Sequence, residues 1–286
     1  MAGYPLGGIE GTVTSITASS DLATILHPTT GAIIPHTITI NESVPALDVT
    51  AQADTAAVNR AGLSSGTAQI VAHYPFVQRQ IGATGLITLA GTALAMVRSW
   101  DLTVTAGVRN ISSTSQADLT SEYFCPSKKV SWSANAECLV ESGTIVRTLT
   151  KPGTALASYP AFIAKIIEEG TDPTLTGVCM IQQRGHSIPI GSDDNQIVNL
   201  ALTGTGALTA SSGTTTAAVF PAGAIDQPSW DLDGDGVADV EMVVTAATGR
   251  TYTFKTFWNR VNIRSSMAGL ISVTVDLQLT GPLTVA

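Results

Sequence analysis

The stretch IVNLALTGTGAL, residues 197–208, decides the fold, because its strand-like ending recurs as VTVDLQLTGPL at residues 273–283. Both stretches alternate apolar with polar residues and close on LxLTG, which is typical of a half-buried β-strand that ends at a glycine turn. Only residues 209–272 separate the two endings, which is short for a complete domain of ~100 residues or more. The chain therefore repeats a unit whose two copies do not simply follow each other.

The same alternation predicts strands along most of the chain. They are HTITI (36–40), SWDLTVTA (99–106), VSWSANAECLV (130–140), GVCMIQQR (177–184), VADVEMVV (237–244) and RTYTFKTFW (250–258). One segment, SYPAFIAKIIEEG, predicts a helix over about 159–169, with Ser158 as its cap, Pro160 in its first turn and Gly170 at its end. The expected fold class is mainly β, with one flanking α-helix.

The order of these elements predicts the domain organisation. Residues 96–209 hold a complete unit, while the region before them repeats only its front and the region after them only its back. We therefore predict a split domain, residues 1–95 plus 210–286, with a complete domain, 96–209, inserted at an exposed loop. A weaker third ending, GLITLAGTAL (85–94), leaves an alternative open: tandem units 1–95 and 96–209 followed by a C-terminal extension, 210–286.

Composition excludes several classes of protein. With 44% hydrophobic and only 13% charged residues, the chain favours a surface covered by other subunits. A net charge of −8 argues against a grip on nucleic acid, although an acidic surface could let DNA slide past. No apolar run reaches ~18 residues and no signal-like start is present, so we expect neither membrane insertion nor classical secretion. Three cysteines without a CxxC pair predict buried free thiols and a reducing compartment: Cys125, Cys138 and Cys179.

The sharpest local motif is DLDGDGVADVE, residues 231–241. Its carboxylates follow the spacing of short calcium loops, and Gly236 permits the tight turn. Met242 stands where a helix-loop-helix calcium site needs glutamate, so the two readings are a cation that staples a loop and a solvated acidic turn. The sequence indicates no required cofactor, and calcium is the one candidate ligand. The candidate calcium-binding residues are Asp231, Asp233, Asp235 and Asp239.

Sequence motifs for catalysis are weak. GLSSG, residues 62–66, fits GxSxG by letter, but a strand-like segment follows it where a nucleophile elbow needs a helix. The four histidines have no metal-ligand spacing. We therefore predict that the protein is not an enzyme and has no catalytic residues.

The series SWDLTVTA, polar loop, VSWSANAECLV, helix, GVCMIQQRGHSIPI and LALTGTGAL resembles the tail tube (major tail) proteins of long-tailed bacteriophages. YTFKTFWNRVNIRSSMAGLISVTVDLQLTGPL, residues 252–283, resembles the closing strands of that family again. The resemblance implies β-sandwich or barrel domains, six of which close into a ring, and rings that stack into a hollow tube. With two units in one chain, a ring would hold three chains and be pseudo-sixfold.

The resemblance also implies roles for particular residues. One sheet of each unit would line the lumen, and period two selects polar-face candidates, with ordinary solvated sheet residues as the alternative: Asp101, Asn199, Asp276 and Gln278. An acidic lumen would repel phosphates. The long polar loop at about 107–129 resembles the loop that reaches the adjacent ring, the alternative being a loop tip without fixed structure. Its candidate contacts are Asn110, Asp118, Glu122 and Lys128.

The expected function is structural. The chain would assemble with itself in the host bacterial cytoplasm, around a tape-measure protein and between tail terminator and tip proteins. It would become part of the virion tail, which conducts DNA during ejection without sequence-specific contact. A flexible, non-contractile tail follows from the resemblance alone. The alternative is a capsid decoration or adhesion protein with β-sandwich domains and a calcium loop.

Overall fold

The computed structural model describes residues 12–15, 34–51, 56–57, 59–73, 86–94, 97–107, 109–110, 123–124, 130–139, 159–165, 174–190, 196–211, 241–246, 249–266 and 271–286. Within these ranges every helix or strand element is a β-strand, which confirms the mainly β fold. The strands before residue 95 are β1 (Thr12–Ser15), β2 (Ile34–Ser43), β3 (Ala46–Asp48), β4 (Asn59–Ala61), β5 (Ser65–His73), β6 (Leu86–Leu89) and β7 (Thr92–Ala93). The middle strands are β8 (Val97–Ala106), β9 (Arg109–Asn110), β10 (Tyr123–Phe124), β11 (Val130–Leu139), β12 (Ala161–Lys165), β13 (Thr174–Ser187), β14 (Ile197–Gly204) and β15 (Thr209–Ser211). The last three are β16 (Glu241–Thr245), β17 (Thr251–Ser266) and β18 (Ser272–Val285).

Most of these strands form one 14-stranded antiparallel sheet in the order β2-β5-β18-β17-β8-β11-β14-β13-β12-β6-β7. Off this path, β16 pairs with both β17 and β1, and β15 pairs with β13. β3 with β4, and β9 with β10, form two separate two-stranded sheets. β1 and β5, which precede residue 74, therefore pair with β16 and β18, which follow residue 240, whereas β8, β11, β14, β13 and β12 pair in succession within the middle of the chain.

The sheet contains the same strand order twice. The first series runs β2-β5-β18-β17-β16, and the second series runs β8-β11-β14-β13-β12. In both, the LxLTG strand (β18 or β14) lies between the second strand of its series and a long central strand (β17 or β13). The hairpin β6–β7 extends the second series at β12.

The two series meet where β17 changes partners. The first half of β17 pairs with β16, whereas its second half pairs with β8, and a bulge between Trp258 and Arg260 separates the halves on the β18 side. At this junction Ile263 lies opposite Leu102. Both are fully buried and belong to the same hydrophobic cluster, so one core continues across the junction.

The core is formed by alternate residues of each strand, as period two requires. β8 shows this most clearly, because from Trp100 to Ala106 every second side chain is buried. In β17 the successive residues Phe257 and Trp258 are both buried. Since successive strand residues point to opposite faces, both faces of β17 are covered at that point.

The predicted helix over about 159–169 is wrong in the part that the structure describes, because residues 161–165 form the strand β12. Phe162 pairs with Gly177 of β13 on one edge and with Leu89 of β6 on the other. Phe162 and Ala164 are buried alternately, so the short apolar run follows period two. Such a short apolar run fits both the helical period of 3.6 residues and the strand period of two. The ladders on both edges of β12 satisfy its backbone hydrogen-bonding groups without a helix. Residues 166–169 lie outside the described ranges.

The two LxLTG motifs require glycine for different physical reasons. A Cβ added to Gly204 would lie 2.3 Å from Nε1 of Trp132, so only glycine allows the indole to approach this closely. The same indole donates a hydrogen bond from Nε1 to the carbonyl oxygen of Gly206 at 2.9 Å and lies 5.0 Å from the ring of Phe162. Gly281 instead has open space around it and a φ of +74°, a left-handed backbone conformation that favours glycine, at an irregularity in the ladder of β18 with β17.

The prediction of buried free thiols is confirmed for Cys138 and Cys179, while Cys125 lies outside the described residues. Burial, followed by the carboxylate of Glu137, raises the pKa of Cys138 from 9.0 to about 12. Burial raises the pKa of Cys179 from 9.0 to about 11. Both thiols are therefore protonated and unreactive at neutral pH.

These thiols predict a loss of stability in alkali. The folded thiols hold their protons more tightly than the unfolded ones, so above pH 9 the unfolded chain releases protons first and unfolding becomes easier. The contribution is complete below pH 9 and declines as the pH rises towards about 11. Urea titrations across this interval should show a falling free energy of unfolding, and the double variant Cys138→Ala/Cys179→Ala should flatten the slope. An equal slope in the double variant would assign the alkaline loss to other groups.

Candidate functional site

A continuous polar face covers the side of the sheet opposite the core. It spans strands of both series, because β17 and β8 join them side by side. Register places all four lumen candidates on this one face, so the structure brings them together on a single surface. Its side chains include Asp101, Thr103, Thr105, Ser133, Asn135, Glu137, Asn199, Thr203, Asn262, Thr274, Asp276 and Gln278.

Hydrogen bonds from neighbouring strands orient side chains of the polar face. The amide of Asn135 donates to both carboxylate oxygens of Asp101, at 3.1 and 3.2 Å. The amide of Gln69 donates to Oδ1 of Asp276 at 2.7 Å, and Gln278 Nε2 donates to a backbone carbonyl oxygen at 2.8 Å. Three of the four candidate side chains are thus oriented by neighbouring strands. Asn199 and Asp101 line a shared surface depression of about 400 Å³.

Arginines balance the acids on this face. Arg98 pairs with Glu137 at 3.2 Å, and Arg260 Nε lies 3.9 Å from Oδ2 of Asp276. Arg264 lies opposite Asp101 in the ladder. Six charged side chains of the described face are thus three acids and three arginines: Asp101, Glu137, Asp276, Arg98, Arg260 and Arg264. The register adds another pair of opposite charges, Glu241 opposite Lys255. This part of the face has no surplus of negative charge, unlike the acidic lumen that the composition predicts.

Two strand edges of the sheet carry exposed apolar side chains. Within the described residues, β2 pairs only with β5, and β13 beyond Cys179 pairs only with β14. Near the β2 edge lie Val44, Leu47 and Val49, and near the β13 edge lie Val178, Ile188 and Ile190. Ile190 is 95% exposed and Ile188 is 59% exposed. Exposed strand edges with apolar side chains are sites where another chain can add to a sheet.

The sequence interpretation overlooked both these edges and the arginines. The arginines alternate with Asn262 along NRVNIR, so period two could have placed them on the polar face. The apolar edge at HSIPI carries no comparable local signal, because exposure depends on which strands lie alongside.

The remaining candidates are placed only in part. Asn110 lies in β9, opposite Tyr123 of the short strand β10. The other inter-ring candidates and the calcium motif lie outside the described residues: Asp118, Glu122, Lys128, Asp231, Asp233, Asp235 and Asp239. In the described ranges no three His, Cys, Asp or Glu side chains come together as a metal site. The calcium loop therefore stays a prediction. The same ranges contain no helix long and apolar enough to cross a membrane.

The sequence matches no known family model and no curated protein. Among solved structures, it is similar to a chain from the virion of a native gene transfer agent (GTA) particle. The two share 18% identity with a TM-score of 0.39, over 46% of this chain and 98% of that one. It is also similar to a chain from the tail of an empty GTA particle with C6 symmetry, at 17% identity and a TM-score of 0.37, over 45% and 95%. Such TM-scores do not establish a shared fold.

Proposed function

We propose that the protein is a structural subunit whose copies join edge to edge into closed rings, which stack into the tail tube of a long-tailed bacteriophage. The observation that carries this proposal is the doubled strand series. Within the described residues it leaves one strand edge at β2 and another at β13, with exposed apolar residues next to each. Exposed edges promote uncontrolled association unless something covers them. Closing a ring covers both edges at once, because each chain offers one edge to each neighbour.

The doubled series also supports the proposed domain organisation. β5 pairs with β18 and β1 pairs with β16, so the two ends of the chain share one ladder system. We propose that residues 1–95 and 210–286 form the split domain and residues 96–209 the inserted one, with β6 and β7 packed on the inserted domain. Two equivalent series per chain give a ring of three chains with pseudo-sixfold symmetry.

In this proposal the polar face lines the lumen. Amides and hydroxyls dominate it, and its few charges lie beside charges of opposite sign. Tight binding of DNA needs several cations free to displace counterions from phosphates. A balanced face supplies no such stripe, so DNA could pass without being held. The tape-measure, terminator and tip proteins, the inter-ring role of the loop at 107–129 and assembly in the host cytoplasm belong to the same proposal.

Electron microscopy of the concentrated, purified full chain tests the function. We expect rings with an open centre and pseudo-sixfold outline, stacked into tubes, and a mass per ring of three chains by native mass spectrometry. The apolar edges provide the driving force, so assembly should rise steeply with concentration. A chain that stays monomeric at every concentration would contradict the proposal, as would one that binds only to capsid surfaces.

A further inference from the structure

The junction between β17 and β8 is a template for a contact between chains. Each series begins with one strand, β2 or β8, and has a long central strand, β17 or β13. Inside the chain, the central strand of the first series pairs with the opening strand of the second. The two strands left over are β13 and β2, and exposed apolar residues directly follow each of them: Ile188 and Ile190 after β13, and Val44 after β2. We propose that residues 185–190 of one chain pair antiparallel with residues 40–45 of a second copy, in the register of the internal junction. This inference rests on the proposed function and names the contacting edges.

The LxLTG strands show which residues of the two central strands, β13 and β17, correspond. Leu200 of β14 and Leu277 of β18 occupy the same place in the motif, so Asn199 corresponds to Asp276. Asn199 lies opposite Gly185 of β13, and Asp276 lies opposite Arg260 of β17. Residues 185–190 of β13 and its continuation therefore correspond to residues 260–265 of β17.

The same motif shows which residues of the two opening strands, β2 and β8, correspond. Leu200 pairs with Ala136, which pairs with Trp100 of β8. Leu277 pairs with Ala68, which pairs with Ile40 of β2. Ile40 therefore corresponds to Trp100, and residues 40–45 correspond to residues 100–105.

Transferring the junction register then gives the contacts between chains. Inside the chain, Ser265 lies opposite Trp100 and Val261 lies opposite Val104. The corresponding residues place Ile190 opposite Ile40 of the next copy, Ile188 opposite Glu42 and His186 opposite Val44. Pro189 would face Asn41, and proline donates no ladder hydrogen bond at that position.

Residues of the internal junction are buried, whereas the corresponding residues of the proposed contact are exposed. Ile263 is 1% exposed at the junction, whereas its counterpart Ile188 is 59% exposed. Ser265 is fully buried, whereas its counterpart Ile190 is 95% exposed. On the opening strands, Val104 is 1% exposed and its counterpart Val44 is 52% exposed.

What the counterparts lack is the neighbouring strand. A second copy of this chain supplies a strand of matching sequence period at the matching place, which a generic apolar partner does not. The competing arrangement, in which β2 of one chain pairs with β2 of another, would leave Ile188 and Ile190 uncovered.

Paired cysteines test the register. Residues directly opposite in an antiparallel ladder have Cα atoms ~4.5–5.5 Å apart, within the range of a disulfide. Oxidation of the double variant Ile40→Cys/Ile190→Cys should link most chains into disulfide-bonded multimers. The largest product should be a closed trimer, and reduction should return all multimers to single chains. The matched control Ile38→Cys/Ile190→Cys is two residues out of register, with a separation of ~7–8 Å, and should cross-link several-fold less.

Single variants and wild-type chain, oxidised in parallel, account for the native cysteines. Circular dichroism checks that each variant folds, and microscopy of the reduced variants scores ring formation separately. Rings without the Ile40–Ile190 link, or with a stronger Ile38–Ile190 link, would overturn the register and leave the ring function standing. Cross-linking by Ile40→Cys alone would favour the β2–β2 arrangement and also overturn it. Chains that neither form rings nor cross-link would overturn both proposals.

Discussion

Gly204→Ala is expected to lower the free energy of unfolding by about 2–4 kcal/mol, the sum of an overpacked core and a strained hydrogen bond. The new Cβ would lie 2.3 Å from Nε1 of Trp132, far inside any real contact distance. The indole is held on its other sides by Phe162 and by its bond to the carbonyl oxygen of Gly206, so it can move only by losing those contacts. Urea unfolding, followed by tryptophan fluorescence and circular dichroism together, measures the loss.

Two other glycines provide controls for this prediction. A Cβ on Gly206 would meet nothing within 4 Å, so Gly206→Ala should leave stability almost unchanged. Gly281→Ala should cost an intermediate amount, about 1–2 kcal/mol, because its φ of +74° is strained for alanine although the space is open. If Gly204→Ala proved as stable as Gly206→Ala, the close approach to Trp132 would not be the reason for glycine in this LxLTG motif.

Local patterns predict the strands well but not their neighbours. Period two predicted most of the long strands, and the repeated LxLTG ending picked out β14 and β18, which occupy the same position in the two series. The segment at 161–165 was mistaken for a helix because its apolar residues suit either period. What made it a strand were ladders to β13 and β6, which come from distant parts of the chain.

The same holds for the polar face: local patterns predict its residues, but not which strands lie side by side. Alternation within single strands was enough to select Asp101 and Asp276 as residues of one polar face. The arginines that balance them were missed because charge was judged from composition, whereas neutrality depends on which strands lie side by side. Arg264 faces Asp101 only because β17 of one series pairs with β8 of the other. The exposed edge at Ile190 could not be predicted from local sequence for the same reason.

Ile263→Ala and Ile188→Ala are expected to have opposite consequences, although the residues hold corresponding places in the repeat. Ile263 is buried against Leu102 at the junction, so its truncation should cost about 3 kcal/mol in the isolated chain, as other buried isoleucines do. Ile188 is 59% exposed, so its truncation should cost the isolated chain less than about 1 kcal/mol. Urea titration of dilute, monomeric protein measures both values.

Assembly should reverse the order of the two effects. In the proposed contact, residues 40–45 of a second copy cover Ile188, with Glu42 opposite it and Ile40 and Val44 on either side. Ile188→Ala should then raise the concentration needed for rings by about tenfold or more, because each ring repeats the contact and ~1.4 kcal/mol corresponds to a tenfold change in affinity. Ile263→Ala, compared at a temperature where it is still folded, should assemble near the wild-type concentration, because its contact lies within one chain. Light scattering across a dilution series gives both thresholds. If Ile188→Ala assembles like wild type, the β13 edge is not the interface, and the difference in burial between the two isoleucines has another cause.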